Sequence, residues 1–320
     1  MATTNTTTRR IAIVGVGQVG GAAAYALILG STTVAAAGEL ELLLVDNNIA
    51  LRDAQVRDLA DVAFIINRGT RVRAATYREA GQCDLIVVTA GSRQTLGQSN
   101  LDSASRNISI VRNVVDAMAP FRSDAVLLVV SNPVDLLTTL ALEVSQLPLS
   151  QVLGSGTFLE SARLRGLMAE QIGIAPNSID IYALGVHTPS TQLTAWSTAT
   201  VAGVPLSQSI PSSTLVGMQP VLERDTAHLS EVIVRAKGAT PFGIGAVVSS
   251  ICASVLGDRR NVRAVTHFQP EYGCCLSMPA VLGREGIAKT IEVPLSEEER
   301  RKVEESAKMV RGMMEGIRQG

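Results

Sequence analysis

The 320-residue sequence predicts an α/β fold: a Rossmann-type doubly wound parallel sheet followed by a mixed α+β part. Three observations carry this. Short, mostly apolar runs alternate with helical stretches through the first half of the chain. A glycine-rich turn, Gly15-Val16-Gly17-Gln18-Val19-Gly20, joins the first apolar run to the first helical stretch. Beyond about residue 153 the alternation gives way to long helices mixed with shorter strand-like pieces.

Residues 1–10 are Thr-rich, carry two arginines and have no apolar stretch, which predicts a flexible tail and lacks the core of a secretory signal. The first strand spans 11–14 and the first helix 19–29; an insertion-like segment at 31–38 follows. The apolar run 40–45 suits a central parallel strand and ends on Asp46. Residues 48–65 form an amphipathic helix, 71–74 and 85–89 strands, 103–118 a helix and 125–130 a buried strand ending in Ser131-Asn132-Pro133. These elements define a first domain at 11–153.

A second domain, 154–320, holds a helix at 158–172, strand-like pieces at 179–184 and 191–201, helices at 217–236 and 242–256, and strands near Arg263, Cys275 and Ile287. A last helix opens with a Ser296/Glu299 capping box and shows an apolar stripe of Val303, Ala307, Val310, Met314 and Ile317.

The formal net charge of −1 announces no nucleic-acid surface. Four cysteines lack metal-ligand spacing, and reduced thiols in a cytoplasmic protein are the expectation, with no metal. Two uncharged runs, 11–38 and 239–257, are long enough to raise a membrane span. Glycines and polar residues in the first, and Pro241 in the second, argue against it.

The glycine turn reads as a dinucleotide cradle. Gly15 allows the tight turn, Gly17 lets backbone approach a pyrophosphate, and Gly20 lets helix pack on strand. Gln18 and Val19 open a helix whose free N–H groups and dipole favour phosphate. Asp46 stands where an acid binds ribose, 26 residues past Gly20, somewhat beyond the usual separation of about 20. Asn47 and Asn48 follow it rather than an arginine, which favours NAD over NADP. Thr89, Ala90, Gly91 and Asn132 fall at the carboxyl ends of strands, where such sheets bind ligands.

These residues, with VVTAGSRQTLGQSNLD (87–102), SNPVDLLT (131–138), GSGTFLESARLR (154–165), LGVH (184–187), KGAT (237–240) and CLSMPAVLGREGI (275–287), resemble the lactate/malate dehydrogenase family, and its lactate branch more closely. The resemblance implies reversible hydride transfer between NAD and a 2-oxo or 2-hydroxy acid, and a homodimer or homotetramer. It makes His187 the acid/base, Glu160 its carboxylate partner and Arg163 the fork that binds the substrate carboxylate. Asn132 and Thr240 become substrate contacts, and Arg93 a contact to cofactor phosphate. Gln94 takes the place that separates substrates: neutral glutamine suits a small or apolar side chain, where a malate-type enzyme has arginine.

Three departures surround this one pocket. The family's mobile loop carries a second arginine that polarises the substrate carbonyl; this chain has Asn100. Losing one transition-state donor typically costs roughly 3 to 4 kcal/mol. Glu160 replaces the family's aspartate, and His187-Thr188-Pro189 replaces His-Gly-Asp. Three expectations follow: a lactate-type dehydrogenase whose substrate is a bulkier 2-oxo acid or a related carbonyl or imine rather than lactate itself, a non-catalytic NAD-binding homologue acting as sensor or structural partner, or a weakly active conventional lactate dehydrogenase.

Overall fold

A computed structural model describes residues 8–31, 39–67, 69–92, 100–187 and 192–319, with the side chains of 100–103 and 192 also outside the description. Among the described residues, eleven strands form one sheet in the order β3-β2-β1-β4-β5-β6-β12-β13-β8-β9, with β14 added against β13. Strands β1 (Arg9–Val14), β2 (Leu40–Val45), β3 (Thr70–Ala74), β4 (Leu85–Val88), β5 (Val126–Val129) and β6 (Val152–Gly154) pair in parallel. From β6 onward the pairing is antiparallel, through β12 (Asn261–Gln269), β13 (Cys274–Gly283), β14 (Gly286–Thr290), β8 (Ala183–Gly185) and β9 (Gln192–Thr194). A separate three-stranded sheet joins β7 (Ile179–Asp180), β10 (Thr200–Val201) and β11 (Val204–Pro205).

Successive side chains of a strand point to opposite faces, so a fully apolar run must be covered twice. On β1, Ile11 and Ile13 enter one core, with helices α1 (Gln18–Leu29), α2 (Ile49–Ile66) and, from far along the chain, α7 (Pro241–Leu256). Ala12 and Val14 enter the other, with α3 (Asn100–Met118), α4 (Val134–Ser145) and α8 (Glu297–Gln319). A smaller core lies between α5 (Phe158–Ile172) and α6 (Ser212–Lys237). Single helical turns occur at Tyr77–Ala80 and Leu206–Ser209.

Two expectations are corrected. The flexible tail does not reach residue 10: β1 starts at Arg9, whose N–H donates to Glu39 O (2.8 Å), while Arg10 N–H donates to Asp84 Oδ2 (2.8 Å). The strand-like pieces at 179–184 and 191–201 are four strands of two or three residues. The second piece breaks because a tight turn at Trp196–Thr198 intervenes, where Glu299 accepts from Ser197 N–H (3.1 Å). Glu299 does this while closing the expected capping box with Ser296, so one carboxylate ends a strand and starts α8. The sheet runs on past residue 154, because Gly154 of β6 pairs with Thr266 of β12.

The insertion-like segment lies mostly outside the described residues. Among the described residues no single helix is long and apolar enough to cross a membrane; α6 and α7 pass that test only as a pair bent by 120°. All four cysteines are free and buried.

Candidate active site

The glycine turn is built from backbone contacts that side chains would prevent. Gly15 has φ +91°, and a Cβ there would lie 2.6 Å from Ala90 Cα and N; a Cβ on Gly20 would lie 1.9 Å from Gly15 O. Gly17 differs: a Cβ there meets nothing within 4 Å. It caps α1 without a side-chain bond, and no acidic side chain occupies the first turn, which leaves helix N–H groups facing open space beside exposed Gln18. Val19 packs on the core beneath. These features fit a bound dinucleotide phosphate. Gly17→Val is expected to fold with the parent's melting temperature within about 2 °C and to weaken NADH at least about tenfold by fluorescence titration; parent-like binding would refute the cradle.

Asp46 secures the rim. Its Oδ2 accepts from Val16 N–H and its Oδ1 from Asn48 N–H, both at 2.8 Å, so the carboxylate ties the first two strand–helix turns together. Gln55 of α2 adds a bond from Nε2 to Val16 O (3.1 Å). The Thr89 hydroxyl donates to Gly15 O (2.5 Å) and so locks the same turn from β4. Ser131 Oγ donates to Ala90 O (2.6 Å). Asn107 of α3 joins the ends of β4 and β5: its Oδ1 accepts from Ser92 N–H and its Nδ2 donates to Asn132 O, both at 2.8 Å. Gly91 fits beside it, since a Cβ there would lie 3.3 Å from Asn107 Oδ1. Asn132 itself is exposed.

A second cluster gathers Glu160, Arg163 and His187. Glu160 and Arg163 share a face of α5, one turn apart, with Nη1 3.7 Å from Oε1. Arg163 Nη1 donates to Ser230 Oγ on α6 (2.5 Å), which fixes the guanidinium against that helix. His187 follows β8, and its Nδ1 stands 3.4 Å from Glu160 Oε2. That spacing is an ion pair without the alignment of a hydrogen bond, and both atoms are buried without another partner. Glutamate therefore reaches the histidine in place of the family's aspartate.

Burial works against the charge on both groups, and their mutual attraction overrides it. Desolvation alone would lower the His187 pKa; the Glu160 carboxylate, with a further contribution from Asp135, raises it to about 9. Desolvation likewise raises Glu160, but His187 and then Arg163 hold it below its ordinary value. The pair thus favours the charged form of His187, whose side chain is 25% exposed beside a glutamate side chain that is 4% exposed.

Thr240 caps α7 without a side-chain capping bond and is half-buried. Its loop approaches the cradle: a Cβ on Gly238 would lie 3.9 Å from Gln18 Oε1. Arg93 and Gln94 lie outside the described residues, as does the side chain of Asn100, whose backbone starts α3. Of the other histidines, His228 is exposed on α6 beside Glu231, and His267 is buried in β12 between Val265 O and Thr290 Oγ1. No group of three or more His, Cys, Asp or Glu placed to hold a metal occurs among the described residues.

Asp135, Asn107 and Ser230 are polar residues of the two clusters that the sequence reading passes over. Asp135 Oδ2 accepts from His187 N–H (2.7 Å). A charged residue inside the apolar run Val134 to Leu137 was the available signal; Asn107 and Ser230 sit among other polar helix residues and carry none.

Comparison with known proteins places these two clusters in one family. Residues 9–154 match the lactate/malate dehydrogenase NAD binding domain, and residues 157–319 the lactate/malate dehydrogenase alpha/beta C-terminal domain. The chain is 39% identical over 290 residues to L-lactate dehydrogenase A of Rhizopus oryzae (91% of this chain, 87% of that one). It is also 39% identical over 312 residues to an L-lactate dehydrogenase of Deinococcus radiodurans (96% and 99%). Among solved structures, the minor L-lactate dehydrogenase of Enterococcus mundtii superposes with a TM-score of 0.88 at 29% identity, covering 97% of this chain and 98% of that one. Matches spanning both halves do not favour a non-catalytic homologue. With a glycine cradle at one strand end and a carboxylate–histidine pair beside an arginine at another, the chain belongs to the lactate/malate dehydrogenase family, on its lactate branch, as an NAD-dependent oxidoreductase.

Proposed function

We propose that the chain reduces a 2-oxo acid with a neutral side chain, with His187 as proton donor, Arg163 as carboxylate anchor and Glu160 as the group that keeps His187 charged. The observation that carries this is the 3.4 Å approach of Glu160 to His187 with Arg163 on the same helix face. The reduced cofactor, NADH, would supply the hydride when bound. His187 delivers the proton to the carbonyl oxygen, and its positive charge draws electron density toward that oxygen beforehand, a task the family shares with a loop arginine that is asparagine here. Arg163 presents a planar pair of donors to the substrate carboxylate, and its bond to Ser230 restricts how the guanidinium turns. Asn132 and Thr240 complete the substrate contacts, and Gln94 leaves the side-chain subsite without a charge.

The reading keeps two functional domains, 11–153 for the cofactor and 154–320 for the substrate. A homodimer or homotetramer is supported by exposed apolar residues on neighbouring helices: Tyr25 and Leu29 of α1, Ile49, Phe64 and Ile65 of α2, and Phe242 of α7. A reducing, cytoplasmic setting suits four free thiols.

Oxidation of NADH against a panel of 2-oxo acids tests this function. Pyruvate or a bulkier neutral analogue is expected to give a kcat/KM at least about tenfold above oxaloacetate, whose second carboxylate would be left unpaired. A preference for oxaloacetate would contradict the proposal, and NADH binding without oxidation of any panel member would end it.

A further inference from the structure

Asp135 lies in the first turn of α4 and is 1% exposed, and no step above uses it. A buried carboxylate is retained only where donors satisfy it, because removing the ion from water costs several kcal/mol. Three donors do so. Oδ2 takes the His187 N–H at 2.7 Å; Oδ1 takes the Thr266 hydroxyl of β12 at 2.6 Å and the Ser277 hydroxyl of β13 at 3.2 Å. The two hydroxyls are themselves 3.0 Å apart.

The same residues meet the histidine again through the backbone. Ser277 pairs with Gly185, two residues before His187, so its main chain aligns the strand that leads to the amide held by its partner Asp135. The approach to α5 closes the group from another side: Gly156 has φ +57°, and a Cβ there would lie 2.6 Å from Thr266 N and 2.8 Å from Ser277 Oγ. Asp135 therefore stands where α4, the β12–β13 hairpin, the His187 strand and the lead-in to Glu160 and Arg163 converge.

We propose that Asp135 is a positioning residue for His187, fixing the main chain from which the imidazole projects and placing a second negative charge behind it. This rests on the reading of His187 as proton donor, and its test does not require turnover. Among the described residues, the charged groups facing His187 are Glu160 and Arg163 from α5 and Asp135 from α4. Cys274 and Cys275 of β13 lie near Asp135; burial chiefly keeps both thiols neutral, with Cys274 pushed up to about 11. Burial also raises Asp135, and its donors offset part of that.

Asp135→Asn separates anchor from charge. The amide can still accept the His187 N–H through Oδ1 and turn its NH2 toward hydroxyls free to rotate as acceptors. The His187 imidazole is followed by NMR titration of the full chain, its signal assigned by loss in His187→Gln. In Asp135→Asn the His187 pKa is expected to fall by about half a unit or more, with His228 unmoved and NADH affinity within about twofold of the parent. An unmoved His187 titration in the folded variant overturns the proposal. Should that variant not fold, Thr266→Val is used; it keeps shape and removes one donor, so the buried carboxylate holds a proton more readily and the His187 pKa falls in the same direction. No shift there also overturns it. A parent chain that turns over no 2-oxo acid would sink the functional reading and leave the titration result standing.

Discussion

Replacing His187 by alanine is expected to lower turnover about a hundred- to ten-thousandfold, the usual contribution of a positioned acid or base. Its surroundings explain the size. Without the imidazolium no other described group is placed to protonate the nascent alkoxide: Glu160 is ionised and buried, and the Arg163 guanidinium does not give up its proton at ordinary pH. The cradle at Gly15 to Gly20 shares no hydrogen bond with His187, so NADH affinity should stay within about twofold of the parent. Steady-state rates beside NADH fluorescence titration check both halves. Turnover within about tenfold of the parent would remove His187 from the chemistry.

Glu160→Gln is the second large effect, and it acts through charge. The amide keeps the shape and leaves His187 in a site whose burial lowers its pKa, with the main opposing charge gone. An imidazole pKa falling from about 9 to the unperturbed value of about 6.5 or below leaves roughly a tenth or less of the protein protonated at pH 7.5. Reduction there should drop at least about tenfold.

Stability follows the same linkage. The folded His187 pKa lies above its unfolded value, so this contribution is fully present below about pH 6.5 and is lost as pH rises through about 9. Its upper bound is on the order of 3 kcal/mol. Glu160 has the opposite sign: with its folded pKa depressed, its contribution is present above its unfolded value and lost as pH falls through the folded one. The melting-temperature gap between parent and Glu160→Gln should be widest near pH 6 to 7 and should close above about pH 9.

Much of the fold is legible in the sequence because its signals are local. Runs such as Leu42 to Val45 are buried on both faces and can only be central strands, and the Ser296/Glu299 box marks the start of α8 to the residue. The antiparallel extension β12–β13–β8–β9 was less legible, since pairing register depends on contacts across a hundred residues or more, such as Thr266 with Gly154. The site divides similarly. Glycines, Asp46 and the His187 motif announce themselves by type and spacing. Ser230 and Asn107 act by where folding carries an ordinary polar side chain, and Asp135 acts through a main-chain amide 52 residues away. Thr89, expected at the cofactor, also donates to Gly15 O, a bond visible only once β1 and β4 are side by side.

The central claim is that Glu160 keeps His187 charged so that it serves as the acid without a loop arginine, and the pH dependence of kcat/KM for 2-oxo acid reduction tests it most directly. Reduction needs the protonated imidazole. The parent should therefore hold a plateau through neutral pH and decline only around pH 9, while in Glu160→Gln the decline moves to about pH 6.5 or below. A parent profile already falling near pH 6.5, or one that Glu160→Gln leaves in place, would contradict the account.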